Sequence, residues 1–364
     1  MNGQKIVTFG ELLLRFSKPD HLRLTQGDMF TSKYGGSEAN VAVSLASQGE
    51  NVTYITRLPD TPVGHAGAMN LAQLGVDTSH VLYGGQRIGT YYFEPGAGMR
   101  AAKVIYDRAN SAYYDLKPGM IPWHEILKDC AYFHVSGITA AISQQAADAT
   151  FEALDIADEL GITVCFDINY RKNLWKYGAD PRKTLSRMLS RCDMMFGDAI
   201  EFEWLSQHPQ PPFTATDTSF EMQMDEYREW FEELHDRYPR CKRWLMGMRN
   251  MVASSRHLLT ALLYTCEERG ERREERGERA ETLHSPNGYR LLRSVIHDIN
   301  GVVDPSGVGD AFMAGMLHAT GQENVSEQWL LDYSLAAAAM KNTIVGDFNL
   351  ATDDEILSAM SSAK

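Results

Sequence analysis

The 364-residue chain has only five cysteines: Cys130, Cys165, Cys192, Cys241 and Cys266 are scattered and form no CxxC pair. That set argues against a disulfide framework and for a reducing compartment. Cys130 and Cys165 fall in or beside apolar strand-like runs, where a free thiol behaves as a small hydrophobe. Positive charge is also short, with 35 Lys and Arg against 48 Asp and Glu, a formal net of -13. Such a surface repels nucleic-acid backbones and anionic lipid, so neither is expected as a partner. No apolar run reaches the roughly 18 residues that cross a bilayer. Residues 1–10 carry no apolar leader pattern before the first strand. A soluble, cytoplasmic protein is expected.

Several signatures are missing as well. No GxxxxGK[ST] occurs, which removes the P-loop. The HRD and DFG sets of protein kinases are absent, and Gly346-Asp347-Phe348 has the wrong order and context. Gly96-Ala97-Gly98 lies between strand-like runs and opens no helix, so a dinucleotide fingerprint is unsupported.

What is present is a rhythm. Strands are predicted at 6–9, 52–56, 131–135 and 163–167, with helices at 37–48, 64–74 and 143–160. The alternation predicts an α/β, doubly wound, mostly parallel sheet with helices on both faces. Length alone suggests two domains, but the rhythm implies a single one over 1–364. Residues 11–33 and 84–108 break it, being Gly-punctuated and strand-rich, with Tyr91, Tyr92, Phe93 and Tyr106. They read as hairpins forming a small β-sheet lid, or as an edge sheet used for dimerisation. Residues 209–219 read as a surface loop and 220–238 as an acidic helix. The segment 267–281 has seven Glu and five Arg, cannot form a core, and is expected to be a solvated charged loop.

The strongest chemical signal is Asp304-Pro305-Ser306-Gly307-Val308-Gly309-Asp310, followed by a helical run at 311–319. A Gly-rich turn opening a helix presents unpaired N–H groups at the positive end of the dipole, a cradle for phosphate oxygens. Asp310 falls in the first turn. It suits a base taking a hydroxyl proton beside that cradle, or a plain helix-start carboxylate. A second turn, Tyr34-Gly35-Gly36-Ser37-Glu38-Ala39-Asn40, leads into another helix. It reads as a close backbone approach to a ligand, with Asn40 as donor and acceptor, or as a plain start capped by Ser37.

Together these turns carry a resemblance. GGSEANVAVSLA (35–46), RLPDTPVG (57–64) and DPSGVGDAF (304–312) resemble the two signatures of the ribokinase-like (PfkB) carbohydrate kinases, with 2-keto-3-deoxygluconate kinases the nearer likeness. VTFGELLLRFS (7–17), VIYDRANSA (104–112), FDINYRKNLW (166–175) and GDFNL (346–350) support it in order along almost the whole chain. The resemblance implies the ribokinase-like fold with a lid, which often pairs into dimers or higher homo-oligomers. It implies Asp310 as catalytic base and the N–H groups of Gly307, Val308 and Gly309 as anion hole. Gly35, Gly36, Asn40, Tyr91, Tyr106, Arg108 and Arg171 would meet the sugar acid, the two arginines offering planar forks to its carboxylate. Surface ion pairing is the plainer role for both. ATP is implied, held by Asp198, Gly247, Arg249, Gly307, Gly309 and Asn342, with Mg²⁺ served indirectly by Glu201. A monovalent cation is a further cofactor that the resemblance leaves open.

There are departures. The usual Asn-x-x-Glu is Asp198-Ala199-Ile200-Glu201, the nucleotide loop at 245–255 lacks the common Gly pattern, and Pro305 and Val308 stand in the distal motif. The expected activity is phosphorylation of 2-keto-3-deoxygluconate at its C6 hydroxyl, in carbohydrate metabolism. A kinase for another sugar or sugar acid, such as fructose or ribose, is the alternative. A non-catalytic sugar sensor is a third.

Overall fold

The computed structural model describes residues 4–266 and 282–361; the charged segment 267–281 lies outside them. A ten-stranded sheet runs through the molecule. From one edge, Asn51–Ile55, Lys5–Phe9, Cys130–Ser136, Thr163–Asp167, Met194–Asp198 and Arg243–Ala253 pair in parallel. Arg256–Cys266 then turns antiparallel and is joined by Tyr289–Arg293 and His297–Asn300.

Alternation along each strand divides the side chains between two cores. Val7, Phe9, Val164 and Phe166 join Phe151, Leu185, Phe202 and Trp230 on one face. Ile6, Cys165 and Phe196 join Val41, Phe312, Met316 and Leu331 on the other. A strand buried on both faces must be apolar at every position, which explains why runs such as 163–167 are continuous rather than alternating. Helices therefore cover both faces, as the rhythm predicts. Gln144–Leu160 begins at Ser143, whose side chain caps Ala146 N–H, and stops at left-handed Gly161.

A separate four-stranded sheet stands off the carboxyl ends of the parallel strands, in the order Thr31–Gly35, Leu13–Ser17, Gly89–Glu94, Lys103–Asp107. Leu13, Arg15, Tyr91 and Phe93 are buried on its inner face. Two sequence expectations need correction. Phe213–Ala215 and Phe220–Met222 form a small antiparallel pair, so the loop at 209–219 holds a strand and the helix begins later, at Met224–Arg237. Phe220 is buried in the core and cannot begin an exposed helix.

Candidate active site

In an open α/β sheet the crevice lies beyond the carboxyl ends of the strands, where the chain reverses its order. Here a cleft of about 810 Å³ opens at that place, between the main sheet and the small one. The helix Val308–Thr320 points its N-terminus into it. Gly307, its N-cap, has φ +78°, and a Cβ there would lie 2.1 Å from the Asp347 carbonyl oxygen. Only glycine meets both demands. Pro305 lacks an N–H but precedes the cradle. Asp304 ties the turn down, accepting from Ser306 N–H at 3.1 Å and Gly346 N–H at 3.0 Å.

Asp310 lies in the first turn of this helix, buried, with each carboxylate oxygen holding one neutral donor. Ser37 Oγ donates to Oδ1 at 2.8 Å and Asn40 Nδ2 to Oδ2 at 2.7 Å. Asn169 Nδ2 donates to Ser37 Oγ at 2.9 Å. Burial raises the Asp310 pKa, and the bonds from Asn40 and Ser37 pull it back. The carboxylate is thus fixed, desolvated and still a proton acceptor.

Ser37 was expected as a helix cap, but the N-cap is Gly36 and the Ser37 hydroxyl goes to Asp310 instead. Asn40, expected to approach the sugar, does line the cleft; its amide also donates to Asp310, and its Oδ1 accepts from Gly36 N–H at 3.2 Å. The two glycines admit the protein's own chain. A Cβ on Gly36 would meet the Glu11 carbonyl oxygen at 2.3 Å, and one on Gly35 the Asp347 carboxyl at 2.8 Å. Gly36 lines the cleft, while Gly35 packs behind it.

On the small sheet, Tyr91, Tyr106 and Arg108 line the cleft. Tyr91 is buried and its hydroxyl donates to Asp347 Oδ1 at 2.5 Å. Tyr106 is 45% exposed and rests on Tyr91, ring centroids 5.6 Å apart. Arg108 is no surface ion pair: buried, it donates from Nε to Glu11 Oε2 at 2.6 Å, while Ser111 Oγ donates to Oε1. Arg171, in the loop after the strand Thr163–Asp167, also lines the cleft, half-exposed and 3.6 Å from Glu201.

Arg15, which sequence reading passed over, ties the small sheet to the two loops that hold Asp304 and Asp347. It donates to Asp304 Oδ2 at 2.6 Å, Asp347 Oδ2 at 2.8 Å and Ser17 Oγ at 2.6 Å, and lies over Phe93. Its signal was present in period two, since Arg15 alternates with Leu13 and so faces inward.

At the far end, Asp198, Glu201, Gly247 and Arg249 line the cleft. Asn342 does not. It is wholly buried, its Nδ2 donating to the Ala338 carbonyl at 2.9 Å, because it closes its own helix. Asp198 caps the helix Ala199–Ser206, and Glu201 returns the bond in a capping box. That explains an acid at 198: it meets the positive end of a helix. Glu201 also accepts from Tyr170 N–H at 2.7 Å. Burial, then Asp198, pushes its pKa up to about 7. Buried Asp167 beside it is pushed well up by burial, then by Glu201.

Among the described residues no three or more His, Cys, Asp or Glu converge to hold a metal alone. Asp167, Asp198 and Glu201 are the carboxylates at this end of the cleft, and both Asp198 and Glu201 are held by N–H groups.

The model of the pfkB family carbohydrate kinases matches residues 3–240, more than half of the chain. The chain belongs to this family of carbohydrate kinases. Over 191 residues it is 35% identical to a 2-dehydro-3-deoxygalactonokinase of Haloferax volcanii, covering 52% of this chain and 59% of that protein. Over 206 residues it is 27% identical to the 2-dehydro-3-deoxygluconokinase of Bacillus subtilis, covering 56% and 63%. The matches thus span about three fifths of these curated relatives. The crystal structure of the Thermotoga maritima 2-dehydro-3-deoxygluconokinase aligns with a TM-score of 0.84 at 30% identity, covering 99% of this chain and all of that one. The cradle and Asp310 lie beyond the family match but within the span of the structural one.

Proposed function

We propose that the protein transfers the γ-phosphoryl group of ATP to the C6 hydroxyl of 2-keto-3-deoxygluconate. The observation that carries this reading is Asp310, gripped by Ser37 and Asn40 in the first turn of a helix whose N-terminus opens into the cleft. The hydroxyl gives its proton to Asp310, and its oxygen forms the new bond to the γ-phosphorus as the bond to the ADP oxygen breaks. The products are the 6-phosphate and ADP. The N–H groups of Gly307, Val308 and Gly309 hold the transferring oxygens, and positioning with charge neutralisation is most of what this chemistry needs. Bound Mg²⁺ would neutralise phosphate charge near Asp198. Arg108 and Arg171, which both line the cleft, fit the substrate carboxylate. The sugar acids named in the similar proteins support that class. The Glu11–Arg108 pair favours a second reading, a neutral sugar acceptor, because it already neutralises one arginine.

We also propose that the small sheet closes the cleft as a lid and pairs with a second copy of the chain. Its outer face carries Phe16, Phe30, Tyr92 and Ile105, the last three exposed.

ADP release with a panel of sugar acids and neutral sugars tests the activity. Fastest turnover is expected with 2-keto-3-deoxygluconate; preference for fructose or ribose would move the assignment to the second reading. Asp310→Asn should abolish nearly all turnover while sugar binding persists. Near-normal turnover would refute the base.

A further inference from the structure

Lys341 ends the helix Glu327–Lys341 and is completely buried. Among the described residues its ammonium forms no ion pair, and it donates instead to two backbone carbonyls, Asp304 at 3.1 Å and Ile344 at 2.9 Å. Those oxygens belong to the two segments that build the cradle. One runs from Asp304 to Gly307; the other runs from Ile344 through Gly346 to Asp347. They interlock, since Gly346 N–H bonds Asp304 Oδ2 and the Asp347 carbonyl fills the space beside Gly307.

A buried ammonium is an expensive way to fill space. Burial pulls the Lys341 pKa down to about 8, although the charges of Asp304, Asp347 and Asp310 support the protonated form against Arg15. Methionine or leucine would fill the same volume without that cost. Converging carbonyl oxygens, by contrast, are a ready ligand set for a monovalent cation.

We infer that Lys341 is a built-in cation, a positioning residue whose ammonium fills a carbonyl-lined pocket beneath the cradle and holds its two segments in register. The wild-type protein therefore needs no added monovalent ion. Removal of the side chain leaves a vacancy that potassium or ammonium can occupy.

Turnover and thermal unfolding are compared for wild type and Lys341→Ala in choline, potassium and ammonium chloride at equal ionic strength. Wild type should be flat across the three salts in both readouts. Lys341→Ala should lose about tenfold in turnover in choline, and potassium or ammonium should restore part of it and raise the unfolding temperature, as a ligand of the native state does. Lys341→Met, which fills the pocket without charge, should lose turnover in every salt; it also decides the matter if the alanine variant does not fold. The inference is overturned by a wild type that requires added potassium, by either variant keeping full turnover in choline, or by an alanine variant that no cation helps. The turnover readout rests on the kinase reading, whereas the unfolding readout does not. A wild type silent with every sugar would sink that reading and leave the salt-dependent unfolding to test the pocket.

Discussion

At Asp310 a single carboxylate is held by one hydroxyl and one amide, and among the described residues no cation forms an ion pair with it. Burial is what raises its proton affinity; the two neutral donors aim it and, with the charge of Arg171, pull that affinity part of the way back. Arg108 shows the opposite arrangement. Glu11 takes its Nε edge, and the residue also lines the cleft. A charged hydrogen bond is worth about 1.5–3 kcal/mol, so Arg108→Gln should raise KM for a sugar acid about 10- to 100-fold. It should leave a neutral sugar unaffected, as steady-state kinetics would show, and glutamine can still donate to Glu11. At this scale the sequence was legible only where chemistry is local. Asp310 and Gly307 share one short motif. The contacts of Arg15 with Asp304, of Ser37 with Asp310 and of Asn169 with Ser37 bridge 289, 273 and 132 residues. No spacing rule reaches that far.

Among the elements, strand Thr163–Asp167 falls where the apolar run predicts it, and the helix Gln144–Leu160 starts one residue after its cap. The three-residue strands at 213–215 and 220–222 escaped because a period of two cannot be read in so few residues. The helix at 308 begins three residues before the apolar run at 311–319, since Gly307 turns the backbone left-handed and the glycine turn itself supplies the first helical residues. That geometry can be tested. Gly307→Ala should destabilise by at least about 1–2 kcal/mol for the left-handed conformation alone. The clash with the Asp347 carbonyl adds to this cost. Thermal unfolding should show the loss, together with weaker ATP binding by calorimetry.

For the whole molecule, the net of -13 gave no hint of the cleft, whose walls include Arg108, Arg171 and Arg249 as well as a helix N-terminus. The small sheet is where local pattern said least about assembly. Phe16 pairs across to Tyr92, and Tyr92 to Ile105, laying an apolar band over three strands. Replacing both Tyr92 and Ile105 with Glu should convert a dimer into monomers in sedimentation velocity. A wild type that sediments as a monomer would remove the proposed pairing.

The division of the sheet into two cores bears on how the chain is made. One face is covered by segments from the middle of the sequence. The other needs residues near 312–356 to close over Val41, Tyr54 and Leu45. On a ribosome adding about 5–20 residues per second, the stretch from 265 to 364 takes roughly 5–20 s. For that interval the nascent protein carries one nearly finished core, lacking only Leu291 and its neighbours, and one apolar surface covered in part by the helix Ser37–Ser47. Chaperone demand during synthesis should therefore peak late, after most of the sheet has already formed.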